Sequence, residues 1–310
     1  MGFSIGIIGL PNVGKSTLFK ALTKKPVDIG PYPFTTVHPN VGVVPVPDQR
    51  LLKIAEIIKP EKVTPTIIEF IDIAGLVKGS HKGEGLGNQF LAQIRNCDAI
   101  LEVVRAFEEP SVENVAGKID PASDIETIKI EMELKDMEIE ERRLSSPALA
   151  KAQASKKKEN LLSKKPVVYL LNINGKTPYQ APTVDHLAIN LKDEVEMFEL
   201  SDSEKKELNI KSQLDRLILA CYNILDLITF FTVRGGKETR AWTLKRGLKA
   251  PEAGGVVHTD FKEKFIRAEV INWQKLVAAG SWKAAKESGQ LKTAGKDYVA
   301  EDGDVIEFKI

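Results

Sequence analysis

Residues 9–16 read Gly-Leu-Pro-Asn-Val-Gly-Lys-Ser, the pattern G-x-x-x-x-G-K-[ST]. Before it, Met1 to Gly9 is a short apolar run that ends in glycine and reads as a buried parallel strand. After it, Ser16 to Lys24 reads as a helix. A strand, a tight glycine loop and a helix in immediate succession leave the backbone N–H groups of the loop converging on one point, which suits a phosphate. The helix start adds its dipole. Lys15 supplies a point charge to β- and γ-phosphates, and the Ser16 hydroxyl is a Mg²⁺ ligand. Asn12, Val13, Gly14, Lys15, Ser16 and Thr17 are therefore the expected phosphate-binding residues.

Apolar runs recur at Thr66 to Asp72, Ala99 to Val104 and Val167 to Asn172, with helical stretches such as Asn88 to Arg95 between them. Strands alternating with helices predict an α/β domain with a mainly parallel sheet. The run from Thr66 delivers Asp72 beside the phosphate loop, where a carboxylate holds Mg²⁺, and Gly75 lets its backbone N–H approach a γ-phosphate. Between loop and strand lies Tyr32-Pro-Phe-Thr35-Thr36. On chemistry alone either threonine can complete a Mg²⁺ shell. A Gly-rich loop, Leu76 to Asn88, follows Asp72. Many GTPases place a water-orienting glutamine immediately after the D-x-x-G glycine. Here that residue is Leu76, which cannot orient water, and His81 is the polar candidate within the loop.

Guanine-specific proteins carry N-K-x-D after the strand equivalent to Val167 to Asn172. This chain has Asn172-Ile173-Asn174-Gly175, without the aspartate. Guanine selectivity is expected to be lost, while the Asn172 amide has the donor and acceptor to bond adenine N6 and N7. Asp120 to Lys165 carries Ile125, Ile128, Met132 and Ile139 at helical spacing among dense charge, with a break at Ser145-Ser146-Pro147. It predicts an inserted helical hairpin with solvated charged faces. The basic cluster Lys156-Lys157-Lys158 with Lys164-Lys165 is a candidate RNA contact.

The length, 310 residues, suggests two domains at about 150 residues each. A helix is expected from about Gln213 to Leu227. Beyond it Thr229 to Val233, Ala241 to Leu244, Phe265 to Val270 and Val305 to Ile310 read as strands, with one or two short helices between them. The predicted division is 1–228, with the insert at about 120–165, and 229–310. Net charge is only +1 overall, but residues 229–310 hold 15 Lys/Arg against 11 Asp/Glu, and the remaining 228 hold 29 against 32. A positive excess on the small domain suits a polyanionic partner.

Two cysteines, Cys97 and Cys221, exclude a disulfide framework and a Cys-rich zinc site. No run approaches the ~18 apolar residues of a membrane span, and the first ten residues lack the features of a signal peptide. A reducing cytoplasm fits these observations.

Together these residues resemble the YchF family, the Obg-like ATPases. The resemblance rests on G-L-P-N-V-G-K-S-T at 9–17, Y-P-F-T-T at 32–36 and D-I-A-G-L-V-K-G-S-H-K-G-E-G-L-G-N at 72–88. It resumes at Ile228-Thr-Phe-Phe-Thr, Arg240-Ala-Trp-Thr-Leu, His258-Thr-Asp-Phe, Phe265-Ile-Arg-Ala-Glu-Val-Ile and Gly295-Lys-Asp-Tyr-Val, a region similar to the family's TGS domain, a small α+β, β-grasp-like fold. The resemblance implies a P-loop, GTPase-type fold that prefers ATP with Mg²⁺, hydrolyses it slowly, associates with the ribosome and takes part in translation and stress responses; the contact with ribosomal RNA or protein is expected mainly through the TGS domain. The family's Mg²⁺ ligands fall on Ser16 and Thr36, with Asp72 beside them, and its proposed catalytic histidine falls on His81. The nucleotide set extends to Gly75, Asn172 and Ile173, and Asn12 is a candidate K⁺ ligand as in related potassium-stimulated enzymes.

Three departures stand out. Gly175 replaces the family's usual glutamate, the helical insert is much shorter, and the loop near the base is altered around Ala188-Ile189-Asn190. The competing readings are an Obg-class GTPase with a degenerate base site and a ribosome-binding protein whose nucleotide is mainly structural.

Overall fold

The Cβ of every residue in a strand covered on both faces must be apolar or small, and the chain's first strand has that composition. The computed structural model describes residues 2–23, 40–73, 93–110, 112, 118–144, 161–207 and 211–310. In chain order the first half holds β1 (Phe3–Ile8), α1 (Lys15–Thr23), β2 (Val41–Pro45), α2 (Gln49–Ile58), β3 (Lys62–Thr64), β4 (Ile67–Asp72), β5 (Ala99–Ala106) and α3 (Pro121–Leu144). There follow β6 (Val167–Ile173), β7 (His186–Ile189), α4 (Leu191–Glu196), α5 (Asp202–Glu207) and α6 (Leu214–Asn223). The last part holds β8 (Leu227–Arg234), β9 (Glu238–Lys245), α7 (Ala250–Val257), α8 (Thr259–Glu263), β10 (Arg267–Asn272), α9 (Trp273–Ala279), α10 (Trp282–Glu287), β11 (Lys292–Ala294) and β12 (Asp304–Lys309).

The chain divides into two units, one of Met1–Val44 with Ile68–Leu225 and one of Pro45–Ile67 with Asp226–Ile310. The first unit is built on a sheet of order β2-β4-β1-β5-β6-β7. The pairings of β1 with β4 and β5, of β5 with β6 and of β6 with β7 are all parallel. Register places Ile7 opposite both Asp72 and Leu101, so β1, β4 and β5 end at the same edge. The order of connections reverses on either side of β1, and the crevice at such a reversal is where α/β sheets bind ligands.

On α3, Ile125, Ile128 and Met132 are buried as the spacing predicts, and Glu126 and Lys129 are exposed, as expected of a solvated charged face. Asp124, Glu131, Lys135 and Asp136 of the same helix are buried instead. Both Asp136 carboxylate oxygens accept backbone N–H bonds, from Leu162 at 2.9 Å and Ser163 at 2.9 Å, and Lys135 pairs with Glu138 at 2.5 Å. Of the basic cluster, Lys165 donates its ammonium to the carbonyls of Arg95 (3.0 Å) and Cys97, a structural tie. Lys156 to Lys158 and the second arm of the expected hairpin lie outside the described residues. Cys97 and Cys221 are both buried free thiols.

The second unit is larger than the predicted 229–310. Its sheet runs β11-β10-β12-β8-β9-β3. β3 extends the edge of β9 in parallel, Lys62 opposite Glu238 and Thr64 opposite Arg240. α2 buries Leu51 and Ile54 against Phe231, Ala241, Ile271 and Leu276. The opposite sheet face packs Phe230, Leu244, Val270 and Phe308 with Ala250 and Ala253 of α7. Residues 45–67 thus join this unit because only its sheet covers their apolar side. Four short helices, α7 to α10, stand where one or two were expected.

Replacing Asp136 with alanine strips two N–H groups of their acceptor, one of them fully interior. We expect Asp136→Ala to lower stability by about 2 kcal/mol and Asp136→Asn, which keeps one acceptor, by roughly half as much, read from urea denaturation midpoints.

Candidate nucleotide site

The phosphate loop leaves β1 through Gly9 and enters α1 at Lys15. Gly14 has φ +108°, and a Cβ built there would lie 2.5 Å from the Asn172 amide nitrogen. Only glycine permits both the angle and that approach. Asn12 also sits at positive φ, 62°, a conformation that asparagine tolerates better than most residues. The Lys15 ammonium folds back over the loop and donates to the carbonyls of Gly9 (3.0 Å) and Leu10 (2.8 Å). It is thereby held at the loop's mouth.

Asp72, at the end of β4, faces the same point. Burial pushes its carboxyl above the ordinary value, against the opposing pull of Lys15 and of a hydrogen bond from the Ser16 side chain. Burial likewise lowers the Lys15 ammonium, against the pull of Asp72. Each charge is costly alone in this partly desolvated place and is retained by the other. The donor set fits Mg²⁺: the Ser16 hydroxyl and the Asp72 carboxylate, close enough to influence one another, are hard oxygen ligands on one side of a phosphate cradle. Among the described residues no cluster of three or more His, Cys, Asp or Glu forms a self-contained metal site, so a metal here would share its shell with phosphate oxygens and water.

A cleft of about 1010 Å³ adjoins this loop, its lining including Asn12 and Lys15 of the loop together with Phe107, Glu108, Asn172, Asn174 and Lys176. That volume is ample for a nucleotide. Asn172, expected to face the base, lines the cleft. Its amide nitrogen donates to the Val13 carbonyl (2.9 Å) and its oxygen accepts from the Leu191 N–H (3.2 Å). The side chain thus holds the phosphate loop to the start of α4, and these two bonds leave one amide N–H and one oxygen lone pair over. Ile173 lines the cleft one residue on. Asn190, in the altered loop, caps α4 by accepting from Lys192 and Asp193 N–H groups. Gly175 has φ +70° and open space around it.

Thr36, Gly75, Leu76 and His81 lie outside the described residues. Sequence reasoning missed Phe107, Glu108 and Lys176, which follow the carboxyl ends of β5 and β6. The rule that ligands bind beyond the carboxyl ends of parallel strands marks such positions.

A glycine-loop cradle at the carboxyl edge of a parallel sheet, with an acidic strand end hydrogen-bonded to the loop serine, defines a P-loop nucleotide-binding domain, here joined to a second α+β unit. A family model described as 50S ribosome-binding GTPase matches residues 4–143. A YchF-GTPase C-terminal model, described as a protein of unknown function, matches residues 227–310. The Ribosome-binding ATPase YchF of Bacillus subtilis is 43% identical over 364 aligned residues, covering 100% of this chain and 99% of that one. Its counterpart in Haemophilus influenzae is 44% identical over 361, with coverage of 100% and 99%. The structure of the Schizosaccharomyces pombe YchF GTPase superposes with a TM-score of 0.83 at 33% identity, covering 99% of this chain and 98% of that one. The chain belongs to the YchF family.

The aligned lengths exceed this chain's 310 residues, so those bacterial relatives carry sequence that it lacks. Gly14→Ala is expected to cut nucleotide affinity at least 100-fold, since it displaces Asn172 and strains the loop together. Fluorescent-nucleotide titration measures the first effect and the thermal midpoint the second.

Proposed function

We propose that this chain is a Mg²⁺-dependent ATPase that acts with the ribosome as a nucleotide-dependent switch. The observation that carries the reading is the convergence of Lys15, Ser16 and Asp72 at the mouth of the phosphate loop. Its relatives' shared name, ribosome-binding ATPase, supplies the reaction and the partner.

Lys15 exchanges its two loop carbonyls for phosphate oxygens when a triphosphate enters. Ser16, Asp72 and Thr36 hold the metal. Bound Mg²⁺ neutralises charge on the β- and γ-phosphate oxygens. The backbone N–H of Gly75 approaches the γ-phosphate. With Leu76 in place of a glutamine, His81 orients the attacking water, and Asn12 is the K⁺ ligand if potassium stimulates turnover. ATP is preferred to GTP because no carboxylate at Gly175 accepts from the guanine N1–H and N2 amine. Lys15→Ala or Ser16→Ala should abolish tight Mg·ATP binding, whereas His81→Ala should leave affinity intact and slow single turnover by roughly 10²–10⁴-fold. Strong preference for GTP in the wild-type titration, or full turnover in His81→Ala, contradicts these assignments.

The ribosome contact is assigned to the C-terminal domain, whose basic excess suits RNA phosphates. Lys245 ends β9 and Arg246 follows it in a turn, both exposed, with Arg246 bonded to Asp226 at 2.9 Å. An exposed pair of this kind contributes little to folding, so both cations are available to a polyanion. A cytoplasmic location follows from that partner, and among the described residues no helix is long and apolar enough to cross a membrane. Lys245→Glu with Arg246→Glu should reduce ribosome co-sedimentation and its salt dependence without altering ATP affinity. Unchanged co-sedimentation would move the contact elsewhere.

A further inference from the structure

The turn after β6 lacks a base-reading carboxylate, yet it is tightly built. The Asn174 side-chain oxygen accepts from the N–H groups of Lys176 (3.0 Å) and Thr177 (2.9 Å), which closes the turn around Gly175. Its amide nitrogen donates to the Glu108 carbonyl at 3.2 Å. The Thr177 hydroxyl accepts from the Glu108 N–H at 2.9 Å. Both backbone groups of one residue in the loop after β5 are therefore taken by side chains of the loop after β6.

The neighbouring residue is held from the other side. Arg105, buried in β5, donates its Nε to the Phe107 carbonyl and a terminal nitrogen to the Val112 carbonyl, each at 3.0 Å. Its guanidinium stands 4.6 Å from the centroid of the Phe107 ring. Phe107, Glu108 and Asn174 all line the cleft, on loops that follow the carboxyl ends of β5 and β6 and not on the phosphate loop. Loop segments with exposed backbone are ordinarily the mobile part of a site, but here residues 107–108 are fixed from two directions.

We infer that Asn174 and Thr177 are positioning residues for the nucleotide base: by gripping the Glu108 backbone they hold the 107–108 wall where it discriminates between purines, in place of a carboxylate at Gly175. The inference rests on the reading of this cleft as a nucleotide site. With the backbone of the wall fixed, a Glu108 carboxylate brought opposite the exocyclic group of the purine would accept from adenine's amine and repel guanine's carbonyl there. A wall free to shift accommodates both. Neither residue belongs to the phosphate loop, so their effect is expected to fall on the base.

Two substitutions separate bridging from turn closure. Asn174→Asp keeps the oxygen that closes the turn and replaces the donor to Glu108 with a repelling oxygen. Thr177→Val keeps the shape and loses the acceptor, and Thr177→Ser restores it. Affinities of full-length wild type and each variant would be measured for Mg·ATP, Mg·GTP and Mg·tripolyphosphate. Asn174→Asp and Thr177→Val are expected to weaken ATP about 10-fold, the scale of one lost hydrogen bond, and to narrow the ATP-to-GTP ratio. Tripolyphosphate affinity should stay within about twofold, and Thr177→Ser should match wild type. An unchanged ATP-to-GTP ratio in both variants, or a parallel fall for all three ligands, overturns the inference and leaves the nucleotide site standing. A wild-type chain that binds neither nucleotide, or whose binding survives Lys15→Ala, removes the underlying reading and the inference with it.

Discussion

The Asn172 amide reaches the Val13 carbonyl on one side and the Leu191 N–H on the other, closing distances of 159 and 19 residues in sequence. Three segments far apart in sequence are tied together by that one buried side chain. Gly14 has no Cβ because Asn172 occupies the space it would need. The φ of Gly14 in turn directs the chain into α1, whose first turn includes the bond from Leu18 N–H to the Gly14 carbonyl. The curvature of the phosphate loop is thus imposed from β6 as much as from the loop's own glycines.

Electrostatics follows from that geometry. A loop bent this tightly places Lys15 over its own carbonyls and beside the end of β4, where water is partly excluded. Lys15 and Asp72 are each pushed toward neutrality by burial and each restored toward charge by the other. A cation balanced in this way is ready for a triphosphate without first shedding a full hydration shell, which is the advantage of preorganised charge. The same balance means that removing either partner leaves the other desolvated and unpaired.

The central strands were legible because strands covered on both faces are continuous apolar runs. Thr66 to Asp72 became Ile67–Asp72, and Val167 to Asn172 became Val167–Ile173. The phosphate loop was legible because its chemistry needs particular residues at fixed spacing. What escaped depended on partners distant in sequence. Nothing local reveals that Leu51 and Ile54 meet Phe231, that Asp136 receives Leu162, or that the Asn172 amide reaches Val13 and Leu191. Residue type suggested solvation for the charges on α3, which holds for Glu126 and Lys129, whereas a buried hydrogen-bond partner draws Asp136 inside. The bridge from Asn174 and Thr177 to Glu108 was invisible for a further reason: it uses the backbone of Glu108, and backbone groups carry no residue signature.

The discontinuous second unit has a consequence for how the chain is made. Residues 45–67 emerge from the ribosome early, but the sheet that covers the apolar stripe of α2 begins only at residue 226. At about 5–20 residues per second, Leu51 and Ile54 wait on the order of ten seconds or longer for Phe231 and Ile271. During synthesis the nascent chain therefore carries an amphipathic helix with no native partner, and β3 has no edge to join until β9 follows. Completion of the fold is tied to completion of translation.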